Sequence, residues 1–179
     1  MTVPVVRSFH GTRKIHEIEI DERADWRRKL LNAIQLNYAR AAHFDEVFPA
    51  LTDPLLAKTD RLAAYNEQAI RWWVERLGLD GAKVVKASTL AVEETGTRRL
   101  IEIVRRLGGT AYLYGGGAGG YQEDGLFREA GIELVAQSFE HPVYEQAGSD
   151  AFQPGLSIVD AAMNLGLDGT AAALGARAS

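Results

Sequence analysis

Cysteine is absent from the 179 residues, which excludes disulfides, thiolate metal sites and cysteine nucleophiles. Long apolar runs are missing too. No stretch approaches the ~20 residues that cross a bilayer, and the opening MTVPVVRSFHG lacks the apolar core of a signal peptide. Nor is there a strong excess of either charge: 20 basic side chains against 24 acidic ones leave a net charge of -4, which argues against non-specific nucleic-acid binding. The histidines His10, His16, His43 and His141 are scattered, without the paired spacing that holds zinc, so no metal centre is expected. Together these absences predict a soluble, cytoplasmic protein that does not associate with membranes.

What is present fits a globular chain, with 46% hydrophobic and 25% charged residues. One domain is expected over residues 1–179, with an Ala/Gly-rich tail from about residue 167 that frays. TVPVV and KIHEIEI read as two short strands of an N-terminal hairpin, Pro4 placing the first at a sheet edge. From Asp25 the period becomes helical, with Trp26, Leu30, Ile34 and Tyr38 on one face. HFDEVFPALTDPLLAK suggests short turns interrupted by Pro49 and Pro54. DRLAAYNEQAIRWWVERLGL is a strong helix, capped by Asp60 and stopped at Gly78. Beyond it, AKVVKAS, TAYLY and IELVAQSF read as strands, while TRRLIEIVRRLGG, QEDGLFREAG and LSIVDAAMNLG read as helices. This alternation predicts an α/β fold with a mainly parallel sheet and helices packed on it.

The stretch YLYGGGAGGYQ raises a functional question, because Gly115, Gly117 and Gly120 spell G-x-G-x-x-G and Glu140 follows about 20 residues later. The loop leaves a strand and opens a helix, which suits an anion. The helix that follows starts QED and contains Gly125, an unfavourable setting for a pyrophosphate. Three readings stay open here: a dinucleotide site, another ligand loop, or a turn.

FEHPVYEQ places Glu140, His141, Tyr144 and Gln146 just past a strand, where open α/β sheets collect their ligands. His141 is the natural proton acceptor there, since imidazole titrates near neutral pH; a surface histidine before Pro142 is the alternative. Ser157 and Asp160 stand three apart at a helix start, a pattern that caps free N–H groups. Asp160 could instead orient His141 or a substrate amine. A Ser-His-Asp hydrolase lacks its G-x-S-x-G elbow. Arg98 and Arg99 could reach an anion, although a solvated helix face is the commoner explanation for them.

Several segments in order carry a resemblance: TVPVV, KIHEIEI, DWRRKLLNAIQLNYARAAHFDEVFP, LAAYNEQAIRWWVERLGL, TRRLIEIVRRLGGTAYLYGGGAGGYQ, LFREAGIELVAQSFEHPVYEQ and FQPGLSIVDAAMNLG. From about residue 2 to about residue 166 the chain resembles the WbqC-like family of bacterial proteins. The resemblance implies a place in O-antigen or other surface-glycan biosynthesis, and transfer of an acyl or aminoacyl group, possibly glycine, onto an amino sugar. It also implies a preceding segment with a Q-P-x-Y-F-P-type motif that has no counterpart here. A short natural variant, a truncated chain and half of a two-chain assembly stay open, the last with a partner chain supplying that segment or a homo-oligomer.

On this reading His141 deprotonates the attacking amine, with Asp160 or Glu140 orienting it. The backbone of Gly115, Gly116, Gly117, Gly119 and Gly120 holds a phosphate or oxyanion. Tyr114, Tyr121, Tyr144, Gln146 and Ser157 shape the substrate pocket, and no cofactor is required. The alternatives are a non-catalytic binding subunit that needs a partner, and a dinucleotide-binding oxidoreductase.

Overall fold

Apolar residues at spacing four place the first helix, α1, at Trp26–Tyr38 in a computed structural model of the chain. The structure describes residues 2–8, 11–115 and 122–175. The chain divides into two compact units, one formed by Met1–Gly81 with His141–Ser179 and the other by Ala82–Glu140.

The first unit is helical: α1, α2 (Phe44–Leu56), α3 (Leu62–Arg76) and α6 (Ile158–Ala173). Its core joins Ile34, Ala41, Val47, Leu51, Ala162 and Met163, with Trp72 and Trp73 packed against it. A second cluster holds Ile20, Trp26 and Tyr65, where the Trp26 and Tyr65 rings meet edge to face at 5.3 Å. Burying a side chain such as Leu51 or Met163 contributes about 1.5–3 kcal/mol.

Several expectations change in this unit. Pro49 and Pro54 do not break α2, which runs through both. Each ring removes one helical N–H, but fully buried Val47 and Leu51 hold the segment helical through packing. The N-terminal hairpin reduces to an antiparallel bridge between Val5 and Ile20, with Val6 N donating to Glu19 O at 2.9 Å. Ile15–Glu17 forms a 3-10 turn instead of a strand, because Glu17 Oε2 accepts the Lys14 N–H at 2.8 Å and closes the chain locally. Asp60 makes no cap either: Arg61 is the N-cap of α3, and the Asp60 carbonyl accepts from Ile20 N at 2.8 Å.

Helix α6 continues through the residues expected to fray, as far as Ala173. It does so with a kink at Gly166, whose φ of 74° and ψ of 175° only glycine adopts readily. The His43 ring occupies the space a side chain would need: a Cβ on Gly166 would stand 2.8 Å from His43 Nδ1. His43 N donates to Met163 O at 3.0 Å, satisfying a carbonyl that the kink frees. Past the kink, buried Thr170 donates to Gly166 O at 2.7 Å and anchors the second half.

The second unit carries the α/β character. It comprises α4 (Gly96–Arg106), β1 (Ala111–Tyr114), α5 (Asp124–Glu129) and β2 (Glu133–Ala136). The strands pair in parallel, as expected, with Ala111 opposite Glu133 and Tyr114 opposite Ala136. Among the described residues the sheet has these two strands alone. Residues 82–88, expected as a strand, lie around two 3-10 turns, Gly81–Lys83 and Ala87–Leu90, the second closed by Thr89 Oγ1 donating to Lys86 O at 2.7 Å. Phe127 is fully buried, stacks on Tyr112 at 5.1 Å and joins Ile101, Val104 and Ile132 in the core.

Candidate functional site

The helix start at Ser157 behaves partly as its pattern suggests. Ser157 Oγ accepts from Val159 N at 3.3 Å, an N-cap. Asp160 sits three residues further on, the position from which an acidic side chain normally reaches back to the cap. Its carboxylate turns inward instead, and only 4% of the residue is exposed. Asp160 Oδ2 accepts from Tyr144 Oη at 2.9 Å and from Gln146 Nε2 at 2.8 Å.

Gln146 is itself buried and fully used. Nε2 also donates to Gln153 O at 3.1 Å, and Oε1 accepts from Gln153 N at 2.7 Å. The amide therefore ties the irregular segment 144–153 to α6 through Asp160. One helical turn after Asp160, Asn164 Nδ2 donates to Asp160 O at 2.8 Å, and Asn164 Oδ1 accepts from Ala147 N at 2.9 Å. The Tyr144 ring packs edge to face against Phe152 at 5.3 Å.

From α1 a second phenol, Tyr38, faces the same carboxylate. Burial is the main cause pushing Tyr38 up to about 12, and the adjacent Asp160 charge adds to it. Tyr144 is also pushed up to about 12, first by burial and then by its hydrogen bond to Asp160. Both rings are half-buried, so each joins the buried carboxylate to the surface. The site is one carboxyl group facing one carboxamide and two phenols, and the phenols keep their protons at neutral pH. Among the described residues no lysine or arginine pairs with Asp160.

The structure thus brings together Tyr144, Gln146, Ser157 and Asp160 of the residues expected from sequence. His141 is exposed, at the start of the segment that leads to Tyr144. Glu140 is exposed and closes the other unit. Tyr114 ends β1 half-buried and its carbonyl accepts from Gln137 N at 2.8 Å; exposed Gly115 follows it. Gly116, Gly117, Gly119, Gly120 and Tyr121 lie outside the described residues. The sequence reading missed Tyr38 and Asn164. Tyr38 lies at the end of the Trp26 face, where it reads as core, while the spacing of Asn164, one turn after Asp160, was a usable signal.

A cleft of about 770 Å³ opens elsewhere in the first unit, along residues 22–27 and 58–60. Its charges are largely spent on one another: Arg23 pairs with Asp21 at 2.7 Å, and Arg27 pairs with Glu22 while lying 4.2 Å over the Trp26 ring. Ion pairs of this kind, exposed at one partner or at both, contribute little. No cluster of metal ligands occurs among the described residues, and none of their helices is long and apolar enough to cross a membrane.

The model of the WbqC-like protein family matches residues 1–172. The chain belongs to the WbqC-like protein family. The match takes in every residue of the Asp160 cluster. A Mycobacterium tuberculosis (strain ATCC 25618 / H37Rv) protein, described as uncharacterized protein Rv1507c, is 26% identical over 170 residues, covering 94% of this chain and 72% of the relative. No solved structure matches.

Proposed function

We propose that the protein binds a primary amine at Asp160 and transfers an acyl or aminoacyl group to it, in surface-glycan or related biosynthesis. One observation carries this reading. Asp160 is a buried carboxylate whose partners are neutral donors and whose counter-cation is missing among the described residues. Buried charges are ordinarily paired, so a site of this kind favours an incoming ammonium or amine N–H. Family membership agrees with the reading, since the resemblance implies work on amino sugars.

In the reaction the neutral amine attacks the carbonyl carbon of an activated acyl donor, a thioester or acyl phosphate. The new C–N bond forms, the bond to sulfur or phosphate oxygen breaks, and that group leaves as an anion. The surplus ammonium proton passes to His141. Asp160 accepts an N–H of the amine and aims its lone pair, while Tyr38 and Tyr144 stay protonated and donate to Asp160 or to sugar hydroxyls.

The test is turnover with a panel of amino-sugar nucleotides and acyl donors, for the parent, Asp160→Asn and His141→Ala. The expected result is at least a tenfold rise in KM for the amine in D160N, and a fall in kcat in H141A with its melting temperature unchanged. Unchanged turnover in a folded H141A variant removes that histidine from the mechanism. Failure of the parent to acylate any amine while still binding one would favour a non-catalytic binding subunit, a role that the same braced segment would also serve.

A further inference from the structure

The cleft along residues 22–27 and 58–60 opens where α1 begins, within the helical unit. Asp25 stands at the N-cap of α1 but makes no cap, because its carboxylate is held by Arg28. The first turn therefore has no side-chain acceptor for the N–H groups that every helix start leaves free. Two buried donors at the same place also lack an acceptor. Among the described residues, Trp26 Nε1 and Arg27 Nε are buried side-chain atoms without a hydrogen-bond partner, and both residues line this cleft. Trp26 is only 5% exposed. The rest of the Arg27 guanidinium is used: it pairs with Glu22, donates to Ala57 O at 3.1 Å and lies 4.2 Å over the Trp26 ring. Buried N–H groups in folded proteins are almost always paired, so two on adjacent residues call for an acceptor from outside the chain. Lys58, from the turn between α2 and α3, lines the same cleft and has no carboxylate partner among the described residues. The carboxylates of the cleft are taken: Glu22 by Arg27, Asp25 by Arg28, and Asp60 by Arg61 at 3.9 Å.

We infer that this cleft is a second ligand site, separate from the Asp160 cluster, and that it takes an oxyanion, the phosphate or carboxylate group of a small metabolite. The groups left unpaired there are donors: an ammonium, an indole N–H, a guanidinium N–H and a helix start. That set matches an acceptor-rich anion, because charge-assisted hydrogen bonds are the strong ones and a helix start favours negative charge. Neither buried donor is open to solvent, so an oxygen atom that meets them does so by displacing side chains packed over them. The volume of about 770 Å³ is that of a metabolite site and exceeds what a lone ion needs. At about 1.5 Å per residue, α1 sets Trp26 about 18 Å from Tyr38, so the anion bound here is not the group that reacts beside Asp160.

A buried water that meets both donors is the simpler arrangement. The NMR signal of the Trp26 indole N–H separates the two, and it is assigned through the Tyr65 ring, 5.3 Å away centre to centre. Sodium phosphate and sodium acetate are titrated separately into the parent and into Lys58→Gln, with sodium chloride at matched ionic strength as the control. The expected result is a saturable downfield shift of the Trp26 signal with phosphate or acetate in the parent, and at least tenfold weaker binding in K58Q. The anion that binds more tightly names the group. A Trp26 signal that neither anion moves beyond the chloride control overturns the inference and assigns the donors to water. Equal affinity of the parent and K58Q overturns it too, because the cation that lines the cleft then takes no part. Lys58 is exposed, so K58Q keeps the fold, and neither outcome depends on reading Asp160 as an amine site.

Discussion

Gln146 Nε2 donates to Asp160 Oδ2 at 2.8 Å while both ends of the same amide hold the Gln153 backbone. A segment without helix or strand is thereby fixed on α6 by one side chain. Gln146→Leu keeps the approximate volume but leaves the carboxylate one donor short and strands the Gln153 N–H and C=O. The expected loss is about 3 kcal/mol of unfolding free energy, from hydrogen bonds to a buried charge and its neighbours. Urea denaturation measures it. A loss below about 1 kcal/mol would mean that water replaces the amide at little cost.

Gly166→Ala is expected to lose about 1–3 kcal/mol from backbone strain, with the clash against His43 added to that. A double-mutant cycle separates these parts. His43→Ala in the Gly166→Ala background should recover the steric part and leave the backbone part. Complete recovery would show that φ and ψ at Gly166 cost nothing, contrary to the expectation.

The phenols of Tyr38 and Tyr144 set an alkaline limit. Their folded pKa values, pushed up to about 12, lie above the ordinary phenol value of 10.0. Below pH 10 both states are protonated and the contribution to stability is fully present. As pH rises from about 10 to about 12 the unfolded chain ionises first, and that stability is lost. Absorbance titration of the tyrosines should show a late step near pH 12 that shrinks in both Tyr38→Phe and Tyr144→Phe. If neither variant changes the late step, these phenols are not held by Asp160.

In the second unit, Phe127 is fully buried and stacked on Tyr112. Phe127→Ala should cost about 3–5 kcal/mol, the usual range for emptying such a site. Hydrogen exchange would register it as lost protection at β1 and β2. Protection that stays at the parent level would place the stability of the strands elsewhere.

Much of the helical framework was legible in the sequence. The spacing of Trp26, Leu30, Ile34 and Tyr38 gave α1, and Gly78 marked the end of α3 because only its φ of 61° closes that helix without strain. The strands TAYLY and IELVAQSF were found, yet AKVVKAS, with similar β-branched content, joins no strand pairing among the described residues and turns twice. Strand propensity needs a partner to be realised, and a single chain segment does not reveal one. Prolines misled for a related reason: their local cost in α2 is outweighed by packing of Val47 and Leu51, which no local window contains. At the site, Tyr144, Gln146, Ser157 and Asp160 stood out as polar residues beside a helix start, whereas Tyr38 was hidden in an apolar stripe.

By itself the sequence determined the absence of thiol chemistry, the family, the α/β class and the helix-start pattern at Ser157, because each depends on composition or on neighbours a few residues apart. Only the tertiary structure decided what Asp160 does. Whether an acidic side chain three residues into a helix caps its own N-terminus or turns inward depends on the donors that arrive from elsewhere. Tyr38 comes from more than a hundred residues away, and Tyr144 and Gln146 come from a segment with no regular structure. A buried charge goes where the most hydrogen bonds meet it, and in this protein that place exists only after the chain has folded.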